Sequence, residues 1–153
     1  MKKGTLILLC GLPGAGKSTL AKKLAQDMSA TIMSPDEECI ELGISLFDEK
    51  AKSKVEANQW QIGLELAKNG QNVVFENGFW SRQERDKLRQ EAHSIGLKIK
   101  LIYLEETLDE LWRRVEERNV RQNMPEAAIS YEHMKEYVRL FQPPTTAEIS
   151  LFD

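Results

Sequence analysis

Only two of the 153 residues are cysteine, Cys10 and Cys39. They form neither the closely spaced even set of a disulfide framework nor the paired spacing of a zinc site, so both are excluded as organising principles. Histidine is as scarce: His93 and His133 stand alone on polar stretches, with no acid or nucleophile at motif spacing, and are expected at the surface. The longest wholly apolar run, Leu6 to Cys10, falls far short of the roughly 20 residues a membrane span requires. A small-residue cleavage site is also missing after that run, which reads as a buried strand rather than a secretory signal. Neither sign of charge dominates. Lys plus Arg number 21 against 24 Asp plus Glu, for a net charge of −3, which argues against a long polyanion as the main partner. Internal repeats, low-complexity tracts and linkers are absent as well, so one domain over residues 1–153 is expected, in the cytoplasm by default.

What remains is an orderly alternation. Thr5 to Cys10 is a short apolar run, and after a glycine loop Leu20, Leu24 and Met28 recur at helical spacing. Thr31 to Met33 reads as a second strand. Ser34, Pro35 and Glu37 supply an N-cap, a proline at the first helical position and a capping-box acid, so a helix is expected to start there. A long helical pattern follows from about Asp48 to Asn69, with Ala51, Val55, Ile62 and Leu66 on one stripe and Ala57, Trp60, Leu64 and Ala67 nearly opposite. That pattern implies a helix covered on two sides. Val73 to Phe75 and Leu97 to Leu104 are the third and fourth strands. Helices are expected after the capping boxes at Ser81/Glu84 and Thr107/Glu110, and another over Tyr131, Met134, Val138 and Phe141, with a last strand at Ile149 to Phe152. Strands alternating with such helices imply a mainly parallel sheet with helices on both faces.

The loop after the first strand carries the chemistry. Gly11-Leu-Pro-Gly14-Ala15-Gly16-Lys17-Ser18, followed by Thr19, fits the Walker A pattern G-x-x-x-x-G-K-[ST] in the strand-to-helix context that motif needs. Its glycines let backbone N–H groups close around phosphate oxygens, and the helix that follows adds its positive end. Lys17 is placed to neutralise charge on the β- and γ-phosphates, and the Ser18 hydroxyl to hold Mg²⁺. A GTP switch would carry D-x-x-G and N-K-x-D elements, and neither string occurs.

A phosphoryl-transfer site also needs a carboxylate for the attacking hydroxyl, an acid near the metal, and arginines to balance charge. Asp36, just past the second strand, lies at the carboxyl edge of an open parallel sheet, where ligands bind. Its competing role is a dipole-favoured acid in a helix first turn. Glu76 and Asn77 follow the third strand at the same edge, where a carboxylate reaches the magnesium shell. Arg114, Arg118 and Arg121 share one helical face beside a break from Asn119 to Pro125 that reads as a lid. Glu110 with Arg114 and Glu117 with Arg121 are at salt-pair spacing, which leaves Arg118 the least compensated. Arg82, Arg85 and Arg89 read as a solvated face, since Glu84 and Asp86 interleave. Phe79 and Trp80 are equally suited to stacking on an acceptor ring or to the core. Trp60 and Trp112 are assigned to packing.

Across nearly the whole chain these segments resemble the small P-loop kinases grouped with chloramphenicol phosphotransferase, the zeta toxins, gluconate kinase and the kinase domain of polynucleotide 5′-hydroxyl kinase. The carrying stretches are Gly11 to Thr19, S-P-D-E (Ser34 to Glu37), V-V-F-E-N-G-F-W-S-R-Q-E-R (Val73 to Arg85) and L-I-Y-L-E (Leu101 to Glu105) before the arginine-rich helix. The resemblance implies a P-loop NTPase α/β/α sandwich with a short helical lid. It further implies an enzyme that moves the γ-phosphoryl group of MgATP to a hydroxyl, with Asp36 as base and Arg118 and Arg121 as lid cations over ATP. A small-molecule acceptor is expected, ahead of a nucleic-acid 5′ end or a non-catalytic ATP-binding module. Glu76 stands where the family usually has Asp, and Glu38, Cys39 and Ile40 stand where an arginine often follows the S-x-D segment. The stretch Glu76 to Phe79 is also similar to the D-G-F-P-R of adenylate kinases, with Trp80 in place of proline and no long lid insertion. Oligomeric state is not legible.

Overall fold

A computed structural model describes residues 2–153. Four parallel strands, β1 (Thr5–Cys10), β2 (Thr31–Met33), β3 (Val73–Gly78) and β4 (Lys98–Tyr103), lie in the order β2-β3-β1-β4. Between them run α1 (Lys17–Met28), α2 (Pro35–Leu42), α3 (Glu49–Lys68) and α4 (Arg82–Ser94). After β4 come α5 (Leu108–Gln122), a 3₁₀ turn (Pro125–Ala127), α6 (Tyr131–Leu140) and α7 (Thr146–Ile149).

The unbroken apolar run of β1 follows from its central place, since a strand covered on both faces has no polar positions to alternate with. Ile7 and Leu9, with Val74 of β3, are buried on the face that receives Ala21, Leu20, Leu24 and Met28 of α1. Leu6, Leu8 and Cys10, with Val73, Phe75, Ile99 and Leu101, face the other way into the larger core, where Trp60, Leu64 and Ala67 of α3, Ala92 of α4 and Leu111 and Val115 of α5 meet. Each fully buried Leu, Ile or Val contributes about 1.5–3 kcal/mol relative to exposure, so these layers fix the sheet. Helices on both faces of a parallel sheet complete the α/β architecture expected from the sequence.

Three elements differ from that expectation. Residues Ile149 to Phe152 do not add a strand: the Thr145 side chain caps Glu148 N at 3.1 Å and starts α7 instead. Only Asp153 reaches the sheet, its N–H donating to Ile99 O at 2.9 Å. Helix α3 is buried along one face, not two, because Ile62 and Ala57 point to solvent while Val55, Gln59, Trp60, Gly63, Leu64 and Ala67 are buried. In α6 the buried positions are Met134 and the half-buried Tyr137, with Tyr131 and Val138 exposed.

Arg85 is the largest departure. It is wholly buried, donating from Nε and Nη2 to the two oxygens of Glu148 at 2.6 and 2.9 Å and from Nη1 to Phe79 O at 2.8 Å. The interleaved acids suggested a solvated row, and that holds for the partners of Arg82 and Arg89, which both pair with Asp86. At Arg85 the deciding partner, Glu148, lies far away in sequence, where spacing rules do not reach.

Candidate active site

The carboxyl edge of the sheet gathers the phosphate loop, the start of α2 and the end of β3. Gly14 has φ +88°, and a Cβ there would sit 2.8 Å from Leu111 O, so only glycine both adopts the turn and lets α5 approach. Gly16, at φ +99°, caps α1, which has neither a side-chain cap nor an acid in its first turn. The free N–H groups and the positive end of α1 are therefore open to an anion. Ala15 is buried beneath the loop, while Ser18 and Thr19 are exposed on the first turn of α1.

Lys17 curls over this loop, its Nζ donating to Gly11 O at 3.0 Å and Leu12 O at 3.1 Å. Burial pulls its ammonium down from 10.5 to about 8; nearby Asp36 opposes that, and the Lys52 and Arg118 cations reinforce it. Arg114 braces the loop from outside: Nη1 donates to Gly14 O at 3.1 Å while Nε holds Glu110 at 3.0 Å. Glu117 pairs with Arg113 and not with Arg121, although both lie four residues from it. Arg118 and Arg121 thus have no carboxylate partner among the described residues. Burial lowers the Arg118 pKa, with Arg121 adding repulsion and Asp36 countering it. The Asp36 charge opposes the lowering of both Lys17 and Arg118.

Asp36 lies in the first turn of α2 behind the Ser34 cap, which accepts from Glu37 N at 3.4 Å. Its Oδ1 forms an ion pair with Lys52 Nζ of α3 at 2.8 Å. Sequence reasoning missed Lys52. The legible signal was the α3 stripe 52-56-59/60-63-67, apolar or glycine at its carboxyl end and ionisable at its amino end. One turn on, Glu56 is half-buried and its carboxyl is raised from 4.5 to about 7, chiefly by burial, against Lys52 and with Glu84, Asp36 and Glu49 adding repulsion. Gln59, only 6% exposed, donates from Nε2 to Ser34 O and Glu38 Oε2, both at 3.3 Å.

The end of β3 turns sharply. Gly78 at φ +93° is followed by Phe79 at φ +50°, a left-handed conformation that costs a non-glycine residue about 1–3 kcal/mol. Phe79 is buried, and its carbonyl is held by Arg85 and by Cys10 Sγ at 3.4 Å. Arg85 is thereby committed to the fold and does not line an acceptor site. Trp80 lies half-buried beside the edge, its ring 5.0 Å from that of Tyr137. His133, expected as an isolated surface residue, instead closes a capping box with Ser130 and lies between the rings of Phe47 (4.9 Å) and Tyr137 (6.1 Å). The segment after α5 is tied back by Asn119, which bonds both N–H and carbonyl of Ile129.

Magnesium and a nucleoside triphosphate fit these residues. Glu76 Oε1 and Asn77 Oδ1, at the end of β3, are buried acceptors without a donor. In kinase sites magnesium takes one or two protein oxygens and completes its shell with phosphate and water.

A parallel α/β sheet whose first strand runs through a Walker A loop into a helix defines a P-loop NTPase fold. Within that class, the family described as an AAA domain matches residues 6–144, and the chain belongs to it. Solved structures repeat the fold at low identity. A candidate kinase from Chloroflexus aurantiacus is 19% identical with a TM-score of 0.76, covering 95% of this chain and 84% of that one. The APS kinase of Mycobacterium tuberculosis, solved with AMPPNP and APS, is 18% identical with a TM-score of 0.67 over 86% of this chain and 79% of that one. One chain of the Pnkp1/Rnl/Hen1 RNA repair complex is 17% identical with a TM-score of 0.74, covering 92% of this chain and 44% of that one. The fold is that of the small P-loop kinases.

Proposed function

We propose that this protein is a kinase that transfers the γ-phosphoryl group of MgATP to a hydroxyl of a small-molecule acceptor. The observation that carries it is the Walker A loop itself, with Gly14 and Gly16 at positive φ, Lys17 folded onto the loop carbonyls and the uncapped end of α1 open, at the sheet edge where α2 begins with Asp36 in its first turn. The APS kinase, solved with a nucleotide analogue and its acceptor on the same fold, supports a nucleoside triphosphate as donor.

In this mechanism the backbone N–H groups of Gly14, Ala15, Gly16, Lys17, Ser18 and Thr19, entered through Gly11, hold the phosphates. Lys17 exchanges its loop carbonyls for phosphate oxygens. Ser18 and the Glu76 carboxylate would hold a bound magnesium, which would supply charge neutralisation at the phosphates. Asp36 takes the acceptor's hydroxyl proton as its oxygen bonds to the γ-phosphorus and the bond from that phosphorus to the β–γ bridging oxygen breaks. ADP leaves with that oxygen. Arg118 balances the charge spread over the transferring group, and Arg121 reaches the nucleotide from the end of α5. Lys52 occupies Oδ1 of Asp36 and leaves Oδ2 for the hydroxyl.

Transfer of label from γ-labelled ATP, with Mg²⁺, into a mixture of metabolites and 5′-hydroxyl oligonucleotides tests the reading. Label on a small organic acceptor is expected. Label on the oligonucleotides would move the function to end repair, which the likeness to a chain of an RNA repair complex favours and the net charge of −3 opposes. Free phosphate alone would remove the kinase reading.

A further inference from the structure

We infer that Lys52 and Gln59 of α3 clamp the first turn of α2, and that Lys52 is the positioning residue for Asp36, holding its carboxylate in the orientation that proton removal needs. This rests on the kinase reading above and adds the groups that aim its base.

The inference starts from a choice of partner. Asp48 and Glu49 stand four and three residues before Lys52, and Glu56 four after it, the spacings at which carboxylates and lysines pair along one helix. Lys52 pairs with none of them. Its ammonium crosses to the neighbouring helix and meets Asp36 Oδ1 at 2.8 Å. The lysine springs from a fixed turn: Asp48 caps α3, its side chain accepting from Ala51 N at 3.1 Å and its carbonyl from Lys52 N at 2.9 Å.

Stability does not explain that reach. The Asp36 side chain is 57% exposed and that of Lys52 29%, and ion pairs so open to water add little to folding. What the pair does fix is geometry. An aspartate side chain has two torsions to settle, and α2 offers Asp36 no cation of its own, since Pro35–Leu42 holds Asp36, Glu37, Glu38 and Glu41 but neither lysine nor arginine. An ammonium on Oδ1 removes that freedom.

Gln59 supplies the second point of the clamp. Seven residues on from Lys52, it shares that face of α3, and it donates from Nε2 to Ser34 O and Glu38 Oε2, both at 3.3 Å. Ser34 is the N-cap of α2, and Glu38 lies two residues beyond Asp36. One helix therefore holds α2 on either side of the base, while Lys52 takes the carboxylate itself. Such double support keeps a reacting group within the small positional tolerance that transfer allows.

A double-mutant cycle tests this in the intact protein, with Mg²⁺, γ-labelled ATP and the compound labelled in the test above as acceptor. Lys52→Met keeps the stem and removes the charge; kcat should fall about 10- to 100-fold, the cost of a small misplacement, with both KM values changed less than about twofold. Lys52→Arg restores a cation and should regain most of that loss. In the Asp36→Asn background Lys52→Met should have no further effect, because Lys52 acts only through the carboxylate. An equal loss in that background would overturn the inference, since a merely structural lysine would be felt with or without the base. An acceptor KM that rose while kcat held would also overturn it, by placing Lys52 on the acceptor, and so would an unchanged kcat. All three results leave the kinase reading standing. Should Lys52→Met not fold, Lys52→Gln takes its place in the cycle under the same criteria. A parent protein that labels no acceptor would remove the kinase reading and this inference together.

Discussion

The two halves of the site are built by different means. The nucleotide half is made of backbone: loop N–H groups, the open end of α1, and a lysine and an arginine that both bond to loop carbonyls. The proposed acceptor half draws instead on side chains from α2, α3 and the turn after β3, where Lys52 holds Asp36 and Gln59 Oε1 lacks a donor. A backbone cradle suits a group that every substrate of a site shares, such as a phosphate. Side chains brought together from distant segments suit what differs between acceptors.

The largest test of that contrast is Asp36→Asn. Transfer is expected to fall by about 10²–10⁴, the range for a general acid or base, with the ATP KM unchanged. Steady-state kinetics with the acceptor found by label transfer checks it, and normal turnover would take the base role from Asp36. Next comes Arg85→Ala, which leaves Glu148 buried without its partner and frees the Phe79 carbonyl. A loss of about 3–5 kcal/mol in urea unfolding is expected, as for other broken buried pairs. A smaller effect is expected from Gly14→Ala, whose φ of +88° costs an alanine about 1–2 kcal/mol before the contact with Leu111 O is counted. Urea unfolding should show that loss, and calorimetric titration should show ATP affinity weakened because a displaced loop no longer presents its N–H groups to the phosphates. An acceptor KM that rose in parallel would erase the separation between the halves.

The smallest expected effect concerns pH. The folded protein holds the Glu56 proton up to about 7, whereas the unfolded chain releases it near 4.5. Between those values the folded state binds more protons, so Glu56 costs increasing stability as pH rises through that window. Glu56→Gln does not titrate, and its advantage in melting temperature over the parent should be larger at pH 8 than at pH 5. An advantage independent of pH would place Glu56 in an ordinary solvated environment.

This difference in construction also decided what could be read from the sequence. The phosphate loop, its strand and its helix are contiguous, so Gly11 to Thr19 could be read together with their setting. The base candidate Asp36 was legible because a helix start and a sheet edge are local features. The stripe of Lys52, Glu56 and Gln59 is present in the sequence but was not decisive, because a polar residue on a helix stripe reads as solvated until the neighbouring helix is placed against it. The same holds for Arg85, whose burial depends on Glu148, just before a segment that itself read as a strand. Short terminal segments follow their contacts more than their propensity, and the Thr145 cap decided that one.

The left-handed turn at Gly78 and Phe79 has a consequence for inheritance. Its backbone is tolerable only while Arg85 holds the Phe79 carbonyl, and Arg85 is tolerable in the core only while Glu148 neutralises it. Positions 78, 79, 85 and 148 therefore form one unit despite their separation in the chain. Among descendants of this sequence they should change together or not at all, since any one replaced alone leaves either a strained turn or a buried charge for the next generation to repair.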